Sequence, residues 1–158
     1  MESDILATLL TPSTIQLFTA ALLGMLIGLE REVAGKDPSI RTFSLIATGS
    51  CLFALLSLDT FHEYNVGDPT RIAAQIIPGI GFLGAGTIFR SKFGVSGFTT
   101  AALMWVTAGI GMSVGLGRLD LATSATIIAL FLTLSLRLVH TMVHKYRKKP
   151  HSHNEETQ

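Results

Sequence analysis

Six polar side chains stand where this chain turns apolar. Glu30, Arg31 and Arg41 form one group, and Asp68, Arg71 and Gln75 form another. A carboxylate and a guanidinium in such surroundings can pair with each other, hold an ion or a substrate, or anchor a helix end. In lipid each is costly, so each has a reason for being there. Asp68 and Arg71 are three apart, and Arg71 and Gln75 four apart, so on a helix they are neighbours. The expectation is one connected network of Asp68, Arg71 and Gln75, with Glu30, Arg31 and Arg41 as a second polar cluster at the other side of the membrane. Plain helix-end anchoring with local ion pairs accounts for the same placements.

Other chemistry finds less support. No Asp, Glu, Lys or His falls near the middle of an apolar run. A divalent-cation path is expected to carry converging oxygen ligands, so the chain reads poorly as a magnesium pore. Carbonyls freed at a broken helix are the remaining way to coordinate an ion. Gly79 to Gly84 spells GxGxxG but lacks the preceding strand and the acidic residue about 20 positions on, so no dinucleotide site is expected. His140 and His144, and His151 and His153, are pairs without further ligands. Cys51 reads as a small buried hydrophobe. No nucleophile, base and acid share a face, so no enzyme, cofactor or resident metal is expected. A net charge of +1 offers nothing to nucleic acid.

The elements that position these groups follow from the solvent. Five runs are almost free of charge: 13–29, 42–58, 72–89 and 98–117 hold none, and 121–139 holds only Arg137 near its end. A helix needs about 17–25 apolar residues to cross roughly 30 Å of hydrocarbon, and in lipid all backbone groups must pair internally. The predicted fold is therefore all-α and integral to the membrane, with five transmembrane helices in one domain over 1–144. A basic, polar tail follows over 145–158. Ten of the twelve Lys and Arg fall on one side of such a topology, and only Arg71 and Arg118 on the other. The positive-inside rule then puts the N-terminus outside and the C-terminus in the cytoplasm. The acidic start, Met1 to Asp4, does not read as a secretory signal.

Glycine sets the packing expectation. Gly24 and Gly28 form a GxxxG pair, and Gly79, Gly81, Gly84 and Gly86 crowd the third run around Pro78. Small residues let membrane helices approach closely, within the chain or in a homodimer. The same residues weaken the third helix, which persists only if packed tightly or kinked. Gly24 and Gly81 stand at the same offset as Thr42 and Thr99, a faint echo of a repeated helix pair that chance among glycine-rich spans also explains.

Read together, several motifs carry a resemblance. They are Gly24-xxx-Gly28-Leu29-Glu30-Arg31-Glu32, Arg41-Thr42, Asp68-Pro69-Thr70-Arg71-Ile72-Ala73-Ala74-Gln75, Gly79 to Gly86, and Gly97-Phe98-Thr99-Thr100-Ala101-Ala102 with Trp105. In this order they resemble the MgtC/SapB membrane proteins, in the short form without a C-terminal soluble domain. The resemblance implies a bacterial inner-membrane protein tied to growth in low magnesium or acid stress, and to virulence in pathogens. It also implies a regulator of another membrane complex, the F-type ATP synthase. The rival expectation is a transporter or channel for a cation or small solute. Phe43 stands where the family often has His, which removes a titratable group from that position.

Overall fold

The computed structural model describes residues 11–64, 68–92 and 94–147. Helix α1 (Pro12–Val33) opens on Thr11, whose hydroxyl oxygen accepts from the Thr14 N–H at 3.3 Å, with Pro12 at the first helical position. It stops at a turn through Gly35, whose φ of 63° suits glycine. Helix α2 (Ile40–Tyr64) returns across the bundle. The third apolar run is two pieces, α3 (Arg71–Ala74) and α4 (Ile76–Ala85). Pro78 has no N–H to give the Ala74 carbonyl, and at Gln75 the backbone tightens to an i→i−3 bond with Ile72.

A short antiparallel hairpin follows, β1 (Phe89–Ser91) with β2 (Gly94–Ser96), in register Phe89 to Ser96. The sequence reading had only a loop there. Gly97, with φ of 97°, joins the hairpin to the next helix, and a Cβ on it would collide with the Thr87 carbonyl oxygen. Helix α5 (Phe98–Gly115) and helix α6 (Leu119–Arg147) complete the chain.

The fold is all-α in its spans, as expected, with no barrel. Among the described residues three helices are long and apolar enough to cross a bilayer: Pro12–Val33, Ile40–His62 and Phe98–Gly115. The third pass, Arg71–Ala85, is a shorter apolar helix. Helix α6 continues to Arg147, past the expected end of the membrane domain at 144. Residues 148–158 of the expected tail, with His151 and His153, lie outside the described residues, and so do the His140 and His144 side chains.

The core is a three-helix seam closed by glycine. Ala47 of α2 is wholly buried between α1 and α5. On one side, a Cβ at Gly24 would lie 2.5 Å from the Phe43 carbonyl oxygen and 2.8 Å from the Ala47 Cβ. On the other, a Cβ at Gly111 would collide with the Ala47 carbonyl oxygen. One turn away in each direction the pattern repeats. Gly28 meets Ile40, and a Cβ at Gly115 would lie 2.6 Å from the Cys51 carbonyl oxygen. The matched steps of four show that α2 and α5 run parallel, with α1 antiparallel to both. Ile27, Phe43, Cys51 and Ile110 fill the same seam. Helix α6 lies on this core through Ala122, Thr126 and Ala129. Helix α4 packs on α5 through Ile76, Ile80 and Gly84 and stands off from α2.

Candidate functional site

Glu30 and Arg31 are both buried and clasp each other. The Arg31 Nε donates to Glu30 Oε2 at 2.5 Å, and a terminal guanidinium nitrogen donates to Oε1 at 2.6 Å. Burial makes the pairing obligatory, because either charge alone would be uncompensated in a low-dielectric setting. Arg41 does not join them. It is exposed, and its side chain makes no hydrogen bond or ion pair with any described residue. The expected cluster of three is therefore a self-neutralising pair beside a solitary arginine.

The expected network at the start of α3 is also corrected. Asp68 accepts hydrogen bonds from the Thr70 backbone N–H at 2.8 Å and the Thr70 hydroxyl at 2.7 Å. These bonds hold its carboxyl below the usual carboxylate range, and Arg71 adds to that only through space. The carboxylate is turned onto its own chain as a local turn. Arg71 and Gln75 make no side-chain hydrogen bond or ion pair among the described residues.

What secures this end of α3 is a residue that sequence reasoning passed over. The buried Ser57 of α2 donates its hydroxyl to the Pro69 carbonyl at 2.6 Å and accepts the Ala73 N–H at 3.4 Å. Pro69 and Ala73 are i and i+4, so the hydroxyl is inserted into what would be a helical hydrogen bond. Gln16 was passed over as well. Its amide donates to the Val114 carbonyl at 2.9 Å and ties α1 to the end of α5. Nothing in the sequence marks either partner. The Gly111–Gly115 spacing, by contrast, was readable as GxxxG.

The glycines divide. Gly24 and Gly28 abut the α2 backbone, and Gly84 faces Ala101, where an added Cβ would sit in ordinary contact, 3.5 Å from the Ala101 Cβ. Gly79 and Gly81 have nothing within 4 Å, and Gly86 meets only the carbonyls of its own preceding turn. Among the described residues these three serve no helix–helix contact, because α4 turns its Ile76, Ile80 and Gly84 stripe to α5. The Gly24–Gly81 equivalence fails with them.

Between α2 and α3–α4 lies a partly open groove of about 660 Å³. Its walls are apolar except for Thr42, Ser50 and Gln75. Among the described residues no group of three or more His, Cys, Asp or Glu is placed to hold a metal. The Ser44 and Thr107 hydroxyl oxygens are buried without a hydrogen-bond partner among the described residues, whereas Thr48, Ser113 and Thr126 bond back to the carbonyl four residues earlier.

The sequence profile of the MgtC family matches residues 17–142. The chain belongs to the MgtC family. It is 46% identical over 129 residues to Protein MgtC of Salmonella typhimurium (strain LT2), covering 82% of this chain and 54% of that protein. It is 41% identical over 140 residues to "Putative magnesium transporter YhiD" of Escherichia coli (strain K12), covering 85% of this chain and 64% of that one. The chain thus spans about half the length of the MgtC proteins it matches. No solved structure matches it. As a member of the MgtC family with a bundle of apolar helices, it is a membrane protein.

Proposed function

We propose that this MgtC-family chain is a non-enzymatic regulator in the bacterial inner membrane. In this reading it serves adaptation to low magnesium or acid stress by restraining another membrane complex, with the F-type ATP synthase as the partner the family implies. Its N-terminus faces outward and its C-terminus the cytoplasm. The observation that supports this reading is the sealed seam. Gly24, Ala47 and Gly111 bring three backbones into contact in the middle of the bundle, which leaves no room there for a solvated ion. The buried charges at the end of α1 are spent on each other.

Transport is the second reading, and the name of the YhiD relative favours it. Sealed liposomes holding only this protein separate the two. Regulation predicts no magnesium flux above empty vesicles, and capture of ATP synthase subunits when the protein is purified from membranes in mild detergent. Saturable magnesium flux in those liposomes would refute the regulatory reading.

A further inference from the structure

The groove beside α2 has the dimensions of one leaflet. One wall runs from Ile72 to Leu83 and the other from Thr42 to Phe53. At 1.5 Å per residue each wall is about 16 Å long, which is close to half of a hydrocarbon core of roughly 30 Å. Its volume of about 660 Å³ falls inside the roughly 300–1,000 Å³ of small-ligand sites. A transmembrane helix would need a trough twice as long. Leu45, Ile46, Ile76, Ile80 and Leu83 line the groove, with the Thr42 and Ser50 hydroxyls on the α2 wall; Gln75 lies toward the α3 end, and Arg71 stands one helical turn beyond Gln75. Both of these side chains are exposed donors without a hydrogen-bond partner among the described residues.

An apolar trough one leaflet deep, ending in an amide and then a guanidinium at headgroup level, matches one class of molecule. We propose that the groove holds an acyl chain of a membrane phospholipid whose phosphate is bound by Arg71, with the Gln75 amide donating beside it. Arginine presents a fork of donors suited to a phosphodiester. Helices in lipid leave no vacuum, so hydrocarbon filling the trough costs nothing, and the headgroup contact makes the binding selective. The site is independent of whether the chain regulates a partner or transports a solute.

Native mass spectrometry of the delipidated protein, titrated with dioleoylphosphatidylglycerol in detergent, tests this. Arg71→Gln removes the phosphate contact. Gly79 lines the trough and a Cβ on it meets nothing within 4 Å, so Gly79→Leu adds its bulk to the trough. The expected result is one tightly held lipid per chain, roughly tenfold weaker binding in Arg71→Gln, and no tight site in Gly79→Leu, with wild-type helicity in both variants. Equal lipid retention by Arg71→Gln and wild type would overturn the headgroup assignment. Thermal stabilisation by inorganic phosphate alone equal to that by the lipid would overturn the acyl-chain site. So would a dimer that persists without lipid and dissociates in Gly79→Leu, since a second copy would then occupy the groove.

Discussion

Adding one methyl group should have opposite consequences at two glycines of this bundle. In Gly24→Ala the new Cβ lies 2.5 Å from the Phe43 carbonyl oxygen and 2.8 Å from the Ala47 Cβ. Ordinary contact begins near 3.4 Å, so α1 and α2 must part by the better part of an ångström. Neither obstacle is a flexible side-chain tip. Ala47 cannot retreat, because Gly111 of α5 closes on its far side. Forcing extra volume into a packed core costs about 1–3 kcal/mol. The better helix propensity of alanine returns at most about 1 kcal/mol. In Gly79→Ala the propensity gain stands alone. For a chain of this size 1 kcal/mol moves the melting temperature by roughly 2–4 °C. With about 2 kcal/mol for the strain, the middle of that range, the net loss in Gly24→Ala is about 1–2 kcal/mol, so it should melt about 2–8 °C below wild type, and Gly79→Ala at or up to about 4 °C above it. Thermal unfolding in one detergent, followed by Trp105 fluorescence and by circular dichroism, measures both. A Gly24→Ala protein as stable as wild type would refute the backbone-contact seam. A Gly79→Ala protein that loses several degrees would show that α4 is packed where the structure leaves it open.

Arg31→Gln should be among the most damaging single changes, costing about 3–5 kcal/mol, because it strands a buried carboxylate. Glu30→Gln with Arg31→Gln should be less damaging than Arg31→Gln alone, as chemical unfolding of the three variants would report. Ser57→Ala leaves the Pro69 carbonyl and the Ala73 N–H without their shared partner and should cost about 1–3 kcal/mol, with faster amide exchange at Ala73 as its local signature. The Asp68 carboxyl is held below its usual range by the Thr70 hydrogen bonds. The order it brings to the start of α3 should be complete at neutral pH and lost as pH falls through that lowered value. Amide exchange at Thr70 across an acid titration would show this, and protection that persists after the carboxyl is protonated would contradict it. Tags at residue 2 and at the C-terminus should report opposite faces of the membrane, and labelling of both from one side would exclude an odd number of spans.

Much of the fold was legible because lipid imposes a coarse rule: charge-free runs become helices. That rule located the helical passes seen among the described residues. It was blind to where Pro78 and Gln75 would break the third pass, because a kink depends on which carbonyl loses its donor. It missed the hairpin at Phe89–Ser96, which is too short and polar to show a period. The candidate site was less legible. Spacing placed Asp68, Arg71 and Gln75 on one helical face, but α3 is four residues long and Asp68 lies before it. Thr70 was nearer than Arg71 and captured the carboxylate. Glu30 and Arg31 are adjacent, a spacing at which helical side chains do not ordinarily face one another, so their mutual clasp had no signature. Nor did Ser57, whose partners belong to a different helix.

The seam between α2 and α5 also orders the assembly of the bundle in time. The two helices are parallel and adjacent in space, but the chain between them carries α3, α4 and the hairpin. As the protein enters the membrane from its N-terminus, α1 and α2 can pair at once as neighbours in sequence. The flank of α2 that carries the Ala47 and Cys51 carbonyls must then face lipid until α5 has been inserted. Helix α4 must wait too, because the surface it packs on belongs to α5. The nascent bundle therefore passes through a state in which an α1–α2 hairpin, with α3 held to it by Ser57, shares the membrane with an α4 that has no surface to pack on. In the two-stage view of membrane folding, α5 is the keystone whose arrival converts independent helices into one body.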